Sequence, residues 1–515
     1  MLKRKLALTR ALAVALVFLI AAPSLAAASY ERETIMAAEE ALTRLGYDIG
    51  PSDGKWGTKE RDALNELRAK NGLPPADTLT GSSLALIHKL SPGATTLPHP
   101  GILITDPVAR RAFLNLPANR YLATTVWCPP KVDEVEDLGQ LLSHEPVAVV
   151  TTVAKPGGYI RHGDDWFTPI MQTLLGGYDL CVAGEDNSCK QIVGLLSKWA
   201  AADALSPGAK GAKLYSKSFD DVLWIGNMLL RNLTFAYADA RQLVPVDAVD
   251  DAVVLDWLKR RIDEYHHVSQ SPPGEKPGTI RFLEASNHSM AAMMPALAFG
   301  AMVGDRSMME DAFVTWRTVL GTMRADGSLP TETRRGARAL QYSNFQVAQL
   351  TSTAEVAKAQ GIDLYAESAA DKSIPKAVSF LLDAYQDFDK VKGYAKVNEG
   401  SPSNDYSIPY IIPMHFGWLP TYFAEYGADD NIKRMATLMI DKRICSAKAR
   451  GENKMSRSDV VCAGNTGNEP VPFIKMLGMN TYDDWMKPGG QPNYFMGYPA
   501  QCLEGQTPAW PIAVP

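Results

Sequence analysis

Apolar residues recur at steps of three and four along most of this chain, the spacing of one helix face. The pattern predicts helices over Lys190–Leu205, Phe219–Arg241, Val253–His267, Met290–Val303, Met308–Met323, Leu340–Gln360, Ile374–Tyr385 and Ile408–Tyr426, with a kink expected at Pro295. Stretches that alternate apolar and polar are few, so few strands are expected. Sequential helices joined by short loops suggest antiparallel helix pairs. Before them lies a smaller unit. Ala37–Leu45 has helical periodicity, residues 46–57 are dense in turn formers, Thr58 is placed to cap a second helix and Thr80 or Ser82 to start a third. Ser91-Pro92-Gly93 and Leu97-Pro98-His99-Pro100 read as the linker that follows, and Tyr159–Trp166 as an exposed loop.

Composition changes this picture little. Hydrophobic residues make up 46% and charged residues 21% of 515, a globular balance with room for two or three domains. The net charge of −5, from 52 basic and 57 acidic residues, lacks the basic excess of a nucleic-acid binder. An anionic ligand would have to meet local cations.

The first residues bear on compartment. Lys3, Arg4 and Lys5 precede the mostly apolar run Leu6–Ala22 and the small residues that end at Pro23-Ser24-Leu25-Ala26. This is the form of a secretory signal cleaved near Ala26 or Ala28, and it predicts a periplasmic or secreted protein. No later run is long and apolar enough to span a bilayer. Six cysteines, Cys128, Cys181, Cys189, Cys445, Cys462 and Cys502, suit disulfides in an exported chain. Their grouping suggests one pairing among the first three and another among the last three; six cysteines allow fifteen connectivities. None stands in a Cys-x-x-Cys motif. The eight histidines show no metal-ligand spacing, and Gly-x-Ser-x-Gly, Walker and dinucleotide signatures are absent, so neither metal nor organic cofactor is expected.

Candidate chemistry concentrates between Glu284 and Phe345. Asn287 and His288 open a long helical run. Arg335, Arg338 and Tyr342 follow at steps of three and four, which on one helix would share a face. An amide, guanidiniums and a phenol suit removal of a proton α to a carboxylate. Arg335 and Asn287 would neutralise the carboxylate and stabilise the enolate-like intermediate. Tyr342 or His288 would take the proton. A phenol, with an ordinary pKa of about 10, needs nearby positive charge to serve as base. Syn elimination lets one Tyr act as both base and acid; the opposite C5 epimer makes His288 the natural base.

The first unit resembles the peptidoglycan-binding three-helix module through Leu42-Thr43-Arg44-Leu45-Gly46-Tyr47, Asp53-Gly54-Lys55-Trp56-Gly57 and Gly72-Leu73-Pro74. The larger part resembles the alginate lyase family, the poly(mannuronate) lyases. The residues that carry this are Ser286-Asn287-His288-Ser289, Asp326-Gly327-Ser328-Leu329-Pro330-Thr331-Glu332 and Arg335-x-x-Arg338-Ala339-Leu340-x-Tyr342-x-Asn344-Phe345. Trp127-Cys128-Pro129-Pro130 and Trp199-Ala200-Ala201-Ala202-Asp203-Ala204-Leu205 also match family segments. The resemblance covers roughly residues 120–380. The chain departs from the family at Ser286 (for Asn), Met290-Ala291 (for Tyr-Trp), Ser343 (for His) and Phe345 (for Tyr).

The resemblance implies a mainly α protein: residues 1–28 as signal peptide, 29–92 as the three-helix module and 93–515 as an incomplete (α/α) toroid. It implies a lyase that cuts an anionic polyuronate by β-elimination, with Asn287, His288, Arg335 and Tyr342 catalytic and Arg338 binding substrate, and cell-wall peptidoglycan as a further partner. The alternatives are a non-catalytic glycan-binding protein on the same fold, or a wall-glycan hydrolase, which would need two carboxylates flanking the scissile bond.

Overall fold

The computed structural model describes residues 35–72 except 37, then 75, 83, 86–87, 90, 97–128, 138–148, 167–207, 219–270, 285–366, 372–387, 389–395, 416–441, 443–444, 471–472 and 496–505. The expected signal segment, Pro129-Pro130, the 159–166 loop, Glu284, His415, Cys445 and Cys462 lie outside them. Backbone proximity divides the chain into two units, Met1–Ala94 and Thr95–Pro515.

In the first unit, helix α1 (residues 35–44) and α2 (Thr58–Lys70) close on a core of Ala38, Ala41, Leu42, Ile49, Ala63, Leu64, Leu67 and Ile87. The described residues of the third stretch, 83, 86, 87 and 90, are helical. Thr58 is not the cap expected of it. Gly57 occupies the N-cap, and the Glu60 side chain accepts its N–H at 2.8 Å. Buried Glu39 accepts the Gly54 N–H at 3.0 Å and so ties the turn to α1.

The second unit is built from helices of two kinds. Helices α3 (Asp186–Ala201), α4 (Ala248–Gln270), α5 (Glu310–Thr322) and α6 (Ile374–Gln386) bury one face each; in α5 that face is Ala312, Phe313, Trp316, Val319 and Leu320. Alternating with them are α7 (Phe219–Leu243), α8 (Asn287–Val303) and α9 (Ala339–Ala359), which are buried nearly all round. A helix apolar on every side can be satisfied only inside a layer of others. The three pack in succession, α7 on α8 and α8 on α9, with the one-faced helices outside them. Polar side chains on this inner layer bond back along their own helices. Asn232 donates to the Met228 carbonyl at 2.9 Å, Thr234 to Leu230 at 2.7 Å and Asn344 to Leu340 at 2.9 Å. Among the described residues the strand content is one two-residue antiparallel pairing, Arg443–Ile444 with Val471–Pro472.

Several expected boundaries move. The helix expected to reach Leu205 stops at Ala201, because Arg261 on α4 takes the Asp203 and Ala204 carbonyls (2.5 and 2.7 Å) and Leu205 pairs with Val147 (2.7 Å). Helix α8 runs through Pro295 without ending there. Of the stretch expected from Ile408, the described part is helical only over Leu419–Tyr426. The described cysteine pairs agree with the expected grouping, and the pairing within the last group lies outside the described residues. Cys181 bonds Cys189, within the first group, but Cys128 bonds Cys502 and joins the two groups across 374 residues. The bond between the groups forms where the short helix Ala500–Glu504 packs against the Ala123–Trp127 turn.

Candidate active site

Three chain segments meet at the start of α8. Ser286 is its N-cap and exchanges bonds with Ser289, which leaves Asn287 as the first helical residue. The N–H groups of a first turn have no partner within the helix, and the end carries partial positive charge. Glu332 answers both needs. Its two carboxylate oxygens accept the Asn287 backbone N–H at 2.8 Å and the Asn287 Nδ2 at 2.7 Å. Glu332 lies on the short helix Pro330–Thr333, and its neighbour Thr331 donates to the Ala285 carbonyl at 2.6 Å, which docks that helix beside the chain entering α8.

Arg335 follows one turn later, with Nη1 3.6 Å from Glu332 Oε2. Both side chains are buried. Loss of water pushes the Glu332 carboxyl above the usual carboxylate range, and the charge of Arg335 and the bonds from Asn287 oppose that push without overcoming it. The Arg335 guanidinium carbon stands 3.1 Å from the centre of the Tyr342 ring, a cation–π contact. The ring also meets Phe345 edge-on at 5.8 Å. Tyr342 is half-buried, and its hydroxyl has no hydrogen-bond partner among the described residues.

The expected shared helix face is not how these groups meet. Arg335 precedes a 3-10 turn, Gly336–Arg338, and α9 begins only at Ala339. Gly336 has φ +64°, in the left-handed region, which turns the chain between Arg335 and the helix. Arg335 reaches Tyr342 by folding back over it. Arg338, half-buried in that turn, forms no ion pair among the described residues. His288 is buried beside Trp224 of α7, ring centres 6.2 Å apart.

The structure thus joins Asn287, Arg335 and Tyr342 through one residue absent from the expected set, Glu332. Its signal in sequence was its place in the Leu329-Pro330-Thr331-Glu332 segment, where it read as one acid among several. Trp224 carried no signal beyond being aromatic on an inner helix. Trp418 and Tyr422 pack as core residues: the Trp418 indole donates to Asn344 Oδ1 at 3.0 Å and the Tyr422 hydroxyl to Asp429 at 2.6 Å. Met290 and Ala291 are likewise core. Glu355 and Glu504 come together elsewhere, hydrogen-bonded to each other, with no room for a glycosidic bond between them. Among the described residues no group of three or more His, Cys, Asp or Glu side chains is placed to hold a metal ion. Chemically, the cluster offers an amide, two guanidiniums, an imidazole and a phenol.

This arrangement of inner and outer helices is an incomplete (α/α) toroid. A variant of alginate lyase A1-III in complex with a tetrasaccharide has the same architecture: 21% identity, TM-score 0.50, over 66% of this chain and 92% of that one. The crystal structure of alginate lyase A1-III from Sphingomonas species A1 aligns over the same shares, with 21% identity and TM-score 0.49. Residues 185–391 match the alginate lyase family model. The alginate lyase of Cobetia marina is 26% identical over 174 residues, 34% of this chain and 43% of that protein. The polysaccharide lyase of Stenotrophomonas maltophilia strain K279a is 33% identical over 81 residues, 16% of this chain and 24% of that protein. The chain therefore spans less than half the length of these curated relatives, and the resemblance to the alginate lyase family holds over its central helical region.

Proposed function

We propose that this protein is a polysaccharide lyase that cleaves an anionic polyuronate, alginate or polymannuronate-like, by β-elimination. The observation that carries the reading is the buried Asn287–Glu332–Arg335 cluster closing on Tyr342, a phenol whose hydroxyl has no protein partner among the described residues. The family match over residues 185–391 supports it.

In the proposed reaction the substrate carboxylate meets Arg335 and the remaining N–H of Asn287, and Arg338 binds the polymer beside them. Charge neutralisation stabilises the enolate-like intermediate formed when the C5 proton leaves. The electron pair of the C5–H bond becomes the C4–C5 double bond, and the C4–O bond breaks with its pair on the leaving oxygen. Tyr342 takes the proton and returns one to that oxygen when both lie on one face. His288 is the base for the opposite epimer. The protein's own groups supply every proton and charge in this scheme.

The product carries a conjugated unsaturated uronate that absorbs in the ultraviolet. Purified protein incubated with a panel of polyuronates should release it from at least one. No absorbing product from any of them would sink the lyase reading.

We further propose that the protein is exported, as Lys3–Ala28 suggests, and that the first unit binds peptidoglycan. Removal of residues 29–92 should leave turnover of soluble polymer near parental and reduce retention on isolated sacculi. Equal retention with and without the unit would rule out the targeting role.

A further inference from the structure

We infer that Glu332 is a positioning residue of the elimination: it fixes the amide of Asn287 and holds Arg335 against Tyr342, so that both stand in place for the substrate carboxylate. The inference rests on the lyase reading above.

Two oxygens of one carboxylate accept two donors of one residue, the Asn287 N–H at 2.8 Å and Nδ2 at 2.7 Å. A bidentate clamp of this kind sets the side-chain torsions of Asn287 as well as the position of its backbone. It directs Nδ2 toward Glu332 and leaves one N–H and the carbonyl oxygen for other partners. Asn287 Oδ1 is buried and has no hydrogen-bond partner among the described residues. A cap for the helix would need only the backbone N–H, and Ser286 already serves as the N-cap. The bond to the side-chain amide therefore goes beyond what the helix end requires.

Charge points the same way. Glu332 and Arg335 are both buried and 3.6 Å apart, so the carboxyl also sets where the guanidinium sits. The guanidinium is further committed to the Tyr342 ring at 3.1 Å. Arg338 has no such counter-ion among the described residues and sits four residues before Tyr342, at the start of the helix that carries it. Arg338 is placed to bind the polymer beside this cluster.

The test compares Glu332→Gln and Glu332→Asp with the parent, on initial rates of unsaturated product and on melting temperature, with Arg338→Ala alongside. Gln cannot accept both Asn287 donors, because one of its two side-chain atoms is itself a donor. Glu332→Gln should lower kcat by about 100-fold, the scale of losing one preorganised donor. KM should change little, since Arg335 and Arg338 keep their charges toward the polyanion. Glu332→Asp keeps the charge with a shorter reach, and its kcat should fall about 10-fold at unchanged KM. Arg338→Ala should act mainly through KM. A purely structural role would lower melting temperature without this ordering of Glu, Asp and Gln in kcat. Parental kcat in Glu332→Gln, or losses carried by KM alone, would overturn the inference. If Glu332→Gln does not fold, Glu332→Asp decides: parental kcat and KM there overturn it equally. A parent that makes no unsaturated product removes the lyase reading, and this role with it, whereas an active parent with an indifferent Glu332→Gln removes only this role.

Discussion

At Tyr342 the ring and the hydroxyl have separate tasks. The ring carries the guanidinium of Arg335 and the edge contact with Phe345, while the hydroxyl has no hydrogen-bond partner among the described residues. Tyr342→Phe should therefore keep the parental melting temperature and polymer affinity, yet lose about 1,000-fold in turnover if the phenol moves the proton. Near-parental rates in folded Tyr342→Phe would exclude the phenol as acid and base. Arg335→Ala is a poorer probe, because it strands the buried Glu332 carboxylate and should cost about 3–5 kcal/mol of stability. Asp239 offers a residue-scale test of pH dependence. It is buried on α7 and accepts the Tyr178 hydroxyl at 2.6 Å, and burial raises its carboxyl to about 7. A raised carboxyl adds stability in full below the pKa it has unfolded, and that stability is lost as pH rises through about 7. Melting temperature measured from pH 4 to 8 should thus fall less steeply for Asp239→Asn than for the parent. Identical slopes would show that Asp239 does not titrate in this range.

Among the elements, periodicity identified the helices well and their ends badly. Of the inner helices, α8 was legible as a long apolar run, whereas α7 and α9 mix polar residues with apolar ones and read by period like any other helix. The ends depended on partners far along the chain, as Arg261 on α4 shows by stopping α3 before Asp203. The site was legible to a similar degree. Asn287, Arg335 and Tyr342 were found as residues, but their spacing suggested a single helix face, and Gly336 breaks it. With φ at +64°, an alanine at position 336 would strain the left-handed turn by roughly 1–2 kcal/mol. Gly336→Ala should lower the unfolding midpoint accordingly and reduce turnover more than that loss explains, because Arg335 is displaced from Tyr342. An activity loss no larger than the loss of folded protein would show that the turn does not position Arg335.

For the molecule as a whole, the disulfide between Cys128 and Cys502 ties the short helix Ala500–Glu504 to the Ala123–Trp127 turn near the start of the large unit. Arg110 adds to the same tie, donating to the Cys502 and Gly505 carbonyls, both at 2.7 Å. A bond across 374 residues constrains the unfolded chain far more than the eight-residue loop of Cys181–Cys189. Replacing Cys128 and Cys502 with serine should cost about 2–5 kcal/mol, and more than the same change at Cys181 and Cys189. Calorimetric melting of the two double variants checks the order, and equal or reversed losses would contradict it. The sequence alone determined the helical class, the succession of apolar helices and the residue types of the site, since hydrophobic period and side-chain chemistry are local properties. Tertiary structure alone decided which cysteines pair, where helices stop, and that Glu332 stands between Asn287 and Arg335. Those depend on contacts between segments tens to hundreds of residues apart, which spacing along the chain does not encode.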